Sequence, residues 1–181
     1  MAAQIVLHSF ELHPEWPTGT TEPLLQVATR AHGVGPEQAR LREEAMARQA
    51  AAEGLPFVVD RPVGNTFAVH RVLQLANERE VGTAFFTDLQ AEYFAGRSNP
   101  VDPEQVVAAA ARHGIPEGDT RRVLAGHAYA DDVHADEAQA RELGVTGVPF
   151  AVLGGRLAVA GAQSVEVYAD VLARAAAGVS A

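Results

Sequence analysis

Residues 142–162 read Glu142-Leu-Gly-Val-Thr-Gly-Val-Pro-Phe-Ala-Val-Leu-Gly-Gly-Arg-Leu-Ala-Val-Ala-Gly-Ala162, and this stretch decides the fold. A helix stops at Gly144, and the chain turns through Thr146 and Gly147. A strand Phe150–Leu153, a Gly154-Gly155 turn and a strand Leu157–Ala160 follow. Two short apolar runs around Gly-Gly predict a hairpin, because a two-residue type I′ turn requires positive φ at both central positions. Pro149 opens the first strand, where a missing N–H is tolerated. Ser164 then stands as the N-cap of a helix running from Val165 to about Ala175.

At the other end of the chain, residues 4–12 place Val6, His8, Phe10 and Leu12 on one face and Ile5, Leu7 and Ser9 on the other. Both faces are largely apolar, which predicts a buried strand ending at His13-Pro14. The middle reads as helical. One helix spans Pro23 to about His32, and a second spans Pro36 to Glu53, with proline at its start and Gly54 past its end. Arg40, Arg42, Glu43 and Glu44 mark the second as a solvated helix, and Leu55–Val59 follows as a short extended piece. Asn65 fits the N-cap of a helix that carries Phe67, Val72, Leu73 and Leu75 into the core. Within residues 82–96, Phe85, Phe86, Leu89, Tyr93 and Phe94 form an apolar stripe, which reads as core. Asp102-Pro103-Glu104-Gln105 supplies a cap, an N1 proline and an N3 glutamine for a helix leading to His113-Gly114. Helices from Pro116 to about Tyr129 and from Asp131 or Asp132 to Gly144 complete the reading.

The order Gly-Val-Thr-Gly-Val-Pro, strand, Gly-Gly turn, strand, Gly-Ala-Gln, helix resembles the C-terminal half of a thioredoxin fold. It is closest in pattern to the DsbA-like branch that includes FrnE-type oxidoreductases and 2-hydroxychromene-2-carboxylate isomerases. Ser-Phe-Glu-Leu before Pro14 and Asn65-Thr66 with Ala68, His70 and Arg71 match the same branch. The resemblance implies an α/β fold, thioredoxin-like, as one domain over residues 1–181. Residues 1–20 and 144–181 would form its thioredoxin-like part, and residues 21–143 a large helical insertion. Residues 4–12 match the family's second strand, so the family's N-terminal β-α unit and its Cys-Pro-Trp-Cys turn are expected to be missing. The resemblance also implies a cis Pro149, with Thr146, Gly147, Val148 and Pro149 orienting a protein or peptide thiol or disulfide beside the catalytic dithiol. In the glutathione-using relatives an asparagine near Asn65 lies by the ligand. The residue matching Val148 pairs with the thiol peptide there, and the helix start matching Gln163-Ser164 holds its carboxylate. Glutathione is thus the co-substrate this branch implies, His70 lies in the same signature, and no other cofactor is implied.

Composition bounds the chemistry. A chain of 181 residues with 48% hydrophobic and 20% charged residues is long enough for one domain with a sizeable core. A net charge of −9 disfavours a nucleic-acid partner. No apolar run is long enough for a bilayer, and the N-terminus lacks the charged and apolar regions of a signal peptide, so a cytoplasmic location is expected. The decisive count is zero cysteines. Disulfide exchange proceeds through a thiolate, and no other side chain supplies that sulfur. The catalytic set is therefore empty, and the chain alone is expected to be inactive in disulfide exchange. A glutathione-dependent isomerase remains an alternative, as does a non-catalytic peptide-binding or dimerising module that uses the open sheet. Asp131, Asp132, His134, Asp136 and Glu137 form the one acidic and histidine-bearing cluster, but acids in a first helical turn are explained by the helix dipole. Their spacing matches no zinc or calcium pattern, and no metal site is assigned.

Overall fold

The computed structural model describes residues 3–178, which divide into two compact units, one up to residue 135 and one from residue 136. The division falls inside helix α7 (Ala130–Glu142).

The first unit is helical. It contains α1 (Leu24–His32), α2 (Pro36–Ala52), α3 (Phe67–Glu78), α4 (Gly82–Phe94), α5 (Pro103–Arg112) and α6 (Glu117–Ala125). Its core is centred on α3, whose Val69, Val72, Leu73, Leu75 and Ala76 pack with Phe85, Leu89, Val106, Ala110 and Ile115. The aromatic stripe of α4 splits between two environments. Phe85 and Leu89 enter this core, whereas Tyr93 and Phe94 lie beneath the guanidinium of Arg61, which also covers Phe57. Helix α2 buries only Ala39, in keeping with its charged sequence. Helix α5 begins at its expected cap. Asp102 Oδ1 accepts the N–H of Glu104, and Gln105 donates to Asp102 Oδ2. Helix α6 ends at Ala125, four residues before the expected Tyr129, where Gly126 leaves the helical region.

Two readings are corrected here. Residues 4–12 do not form a strand. The segment pairs with no strand among the described residues. Asn77 donates to the carbonyl of Leu7 at 2.9 Å, Thr83 to the carbonyl of Ile5 at 3.0 Å, and Gln74 to the hydroxyl of Ser9 at 3.0 Å. Side chains of α3 and α4 thus meet polar groups that a neighbouring strand would otherwise satisfy. The burial is also inverted. Ser9 and Glu11 are buried while Ile5, Val6 and Leu12 are exposed, so the apolar alternation does not mark a sheet face. The second correction is a small ribbon absent from the expectation: β1 (Thr21–Pro23) pairs antiparallel with β2 (Pro62–Gly64). Leu55–Val59, expected to be extended, lies outside both strands.

The second unit is β3 (Phe150–Leu153), β4 (Leu157–Ala160) and α8 (Val165–Ala176). Both strands fall on the expected residues. The register pairs Leu153 with Leu157, so the connection holds Gly154, Gly155 and Arg156 and is one residue longer than the expected two. Gly154 at φ 60° and Gly155 at φ 69° supply the positive φ values that side-chain-bearing residues adopt at a cost. Ala151, Leu153, Leu157 and Val159 turn toward Tyr168, Val171 and Ala175 of α8 and form the core of this unit.

Candidate functional site

The second unit gathers six of the sequence-predicted residues. Thr146, Gly147, Val148 and Pro149 lead into β3, and Gln163 and Ser164 lead into α8. A hydrogen bond from the Gly161 N–H to the Pro149 carbonyl, at 2.8 Å, joins the two loops. The Val148–Pro149 peptide bond is cis, the isomer that the resemblance implies. Pro149 has no N–H to offer, so its carbonyl alone continues the β3–β4 ladder, and β3 can begin at this residue without an orphan donor.

Val148 is 54% exposed, and among the described residues its N–H donates to no partner and its carbonyl accepts from none. The ladder also fixes which way the β3 backbone points. Hydrogen-bonded pairs alternate in an antiparallel sheet. The Gly161–Pro149 bond therefore makes Ala151–Val159 and Leu153–Leu157 the bonded pairs. The amide and carbonyl of Phe150 and Val152 consequently point off the outer edge of β3. No strand pairs with that edge among the described residues.

Gln163 and Ser164 have local work in the structure. The Gln163 amide donates to the Ala160 carbonyl at 3.0 Å and holds the turn after β4. Ser164 is the N-cap residue of α8, but its side chain accepts no cap bond from the helix. Glu166 stands in the first turn of α8, and the Ser164 hydroxyl and its own N–H lower its carboxyl from the ordinary value. An acid of the chain itself thus lies at the helix start, where the dipole favours negative charge.

Asn65 and His70 belong to the first unit. Asn65 Oδ1 accepts the N–H of Phe67 at 3.0 Å, so it caps α3 from one position before the N-cap residue Thr66. His70 is buried in α3, and its ring stacks on Phe86 with centroids 5.9 Å apart. Arg71, quoted in the signature but given no role there, is the residue whose part sequence reasoning missed. It is buried, and its Nη1 reaches the carbonyls of Val123 at 2.6 Å and Gly126 at 2.7 Å, capping the C-terminus of α6. Burial lowers its pKa from the ordinary arginine value. Among the described residues no group of three or more acidic or histidine side chains is placed to hold a metal ion, and His134 stacks on Phe67. No helix among the described residues is long and apolar enough to cross a membrane.

A hairpin covered by a helix, entered through a cis proline and joined to a helical unit, defines a thioredoxin-type protein of the α/β class. Residues 1–173 match the DSBA-like thioredoxin domain, and the chain belongs to that family. A crystal structure of a probable DsbA oxidoreductase from Streptomyces coelicolor is 40% identical in sequence and superposes with a TM-score of 0.88, covering 94% of this chain and 74% of that one. Comparison with curated proteins finds no match.

Proposed function

We propose that this chain provides the substrate-orienting half of FrnE-type thiol–disulfide chemistry and supplies no redox couple of its own. Family membership supports the chemistry, and the absence of any cysteine limits the chain's part in it. The observation that carries the reading is Val148. Its backbone groups are free and exposed at the mouth of a sheet edge, where an extended peptide gains main-chain hydrogen bonds. Thr146 and Gly147 shape the approach, and Pro149 fixes the start of the edge. The substrate is a thiol- or disulfide-bearing peptide, and the dithiol that reacts with it lies outside residues 1–181.

The glutathione-dependent isomerase reading receives less support. The Gln163 amide is bonded to Ala160, and the first turn of α8 carries the acid Glu166. A tripeptide carboxylate bound there would meet the like charge of Glu166.

Titration of the isotope-labelled protein with an S-methylated, extended model peptide tests the proposal. The expected result is saturable amide shifts confined to Thr146–Val152, lost in Val148→Pro, which removes the exposed N–H. Shifts scattered over the first unit, or none at saturating peptide, would reject it.

A further inference from the structure

Helices α1 and α2 stand outside the packing that holds the rest of the first unit. Neither contributes a residue to the core centred on α3, and Val27 and Ala39 are their only buried apolar side chains among the described residues. Among the described residues α2 packs closely on α1 and on no other element, and α1 packs on α2 and β1. A pair of helices with so little buried apolar surface belongs to the low end of local stability.

Their attachment is polar and concentrated at two successive residues, Asp60 and Arg61. Pro23 leaves the start of α1 without a side-chain cap of its own. The N–H of Leu24 donates instead to the Arg61 carbonyl at 2.9 Å, and that of Leu25 to Asp60 Oδ1 at 3.1 Å. The Arg61 guanidinium donates to Glu43 Oε2, in the middle of α2, at 3.1 Å. This ion pair is shielded, with 6% of the Arg61 side chain and 15% of that of Glu43 exposed. The guanidinium is fixed from its other side. Its Nη1 donates to the Val58 carbonyl at 2.5 Å, and it lies 4.3 Å from the ring centre of Phe57 and 4.9 Å from that of Phe94. The N–H of Val58 in turn donates to the Phe94 carbonyl at 2.8 Å, which ties this segment to the end of α4. Arg61 is thus anchored on α4, and α1 and α2 are what it holds. Gly54, just past α2, has φ 73° and open space where a Cβ would stand, so the chain can swing there.

We infer that α1 and α2 form a strap that opens as one body from a core that stays folded, with Asp60 and Arg61 as its clasp. Opening returns Glu43 and the Arg61 guanidinium to water and uncaps α1 in the same event, because both contacts end on neighbouring residues. Helices α3 to α6 lose no core contact when it happens, since the strap supplies none. Removing one partner of the shielded pair acts on the closed form alone: it leaves a charge buried without its counterion, whereas the open form has both groups in water.

The test is amide hydrogen exchange of the full chain, read residue by residue by NMR. The amides of α1 and α2 are expected to share one opening equilibrium and to exchange at least about a hundredfold faster than those of α3. Glu43→Ala is expected to quicken exchange in α1 as much as in α2, by about tenfold to a hundredfold, and to leave α3 and α5 unchanged. The rise in α1 is the decisive part, because Glu43 belongs to α2. Asp60→Ala removes the cap of α1 at the other end of the clasp and is expected to quicken the same two helices by about fivefold. Glu43→Gln keeps an acceptor for Arg61 and is expected to fall between wild type and E43A. Exchange of α1 and α2 in step with α3 in the wild-type chain overturns the inference. So does an E43A effect confined to α2, or one that reaches α3 equally. Should E43A fail to fold, D60A carries the same comparison, and an effect confined to α1 overturns the inference there.

Discussion

Arg71→Met removes the cap on the C-terminus of α6 while keeping much of the side chain's length. The two contacts that matter are those to Val123 at 2.6 Å and Gly126 at 2.7 Å. The approaches to Ala128 at 3.4 Å and Leu124 at 3.5 Å are too long to add much. Charge-assisted hydrogen bonds contribute about 1.5–3 kcal/mol each, and the lower figure applies because Gly126, at a half-buried turn, regains some water. Two such bonds give a loss of about 3 kcal/mol. For a chain of this size that is a fall in Tm of roughly 6–12 °C. Arg71→Lys keeps the charge but not the fork and is expected to fall between wild type and R71M. Urea unfolding at neutral pH, followed by circular dichroism, measures the loss as a lower midpoint at unchanged slope. An R71M midpoint within about 0.5 kcal/mol of wild type would refute the assignment of Arg71 as the α6 cap.

Three further outcomes follow from other sites. Thr120 is fully buried in α6, and its hydroxyl has no partner among the described residues, so Thr120→Val is expected to be neutral or to stabilise by up to about 1 kcal/mol in the same urea assay; a clear loss would reveal a hidden bond. A Cβ at Gly64 would collide with the backbone carbonyl of Thr20, which has no side-chain freedom to move aside, so Gly64→Ala is expected to lower stability by about 1–3 kcal/mol, and a wild-type melting curve would contradict the packing of the β1–β2 ribbon. Asp119 accepts a hydrogen bond from Arg79 and lies beside Arg122, and together they hold its carboxyl below its ordinary 3.8. A depressed folded-state pKa gives stability that is present above the unfolded value and lost as pH falls through the folded one. The Tm difference between wild type and Asp119→Asn is therefore expected to be constant near neutrality and to shrink below about pH 4, and a difference that grows on acidification would reverse the sign of the argument.

What the sequence disclosed depended on how local the determinants were. Gly154 and Gly155 adopt positive φ, and Asp102-Pro103 caps a helix, through chemistry contained within a few residues, so β3, β4 and the start of α5 could be read from the chain. Residues 4–12 show the converse. Their alternation suits a strand, yet a strand needs a partner, and the groups that meet this backbone are side chains of Gln74, Asn77 and Thr83, remote in sequence. The β1–β2 ribbon was hidden because Pro23 and Pro62, which stand opposite one another in its register, read locally as breakers. Arg61 and Arg71 carry no local mark of burial in the sequence. Their burial depends on an aromatic cluster around the first and on the open end of α6 above the second. At the candidate site, the loop from Thr146 to Pro149 was legible from Gly-Val-Pro before an apolar run. That Ser164 makes no cap bond to α8 was not, because a capping serine and an anion site present the same sequence.

The proposed role is orientation of a thiol substrate by residues that carry no redox couple. It is tested most directly by insulin reduction: turbidity is followed with dithiothreitol present, with and without the purified chain. The purified chain is expected to leave the rate at the level set by dithiothreitol alone. A concentration-dependent acceleration would contradict it, because disulfide exchange would then be running in a polypeptide that contains no cysteine.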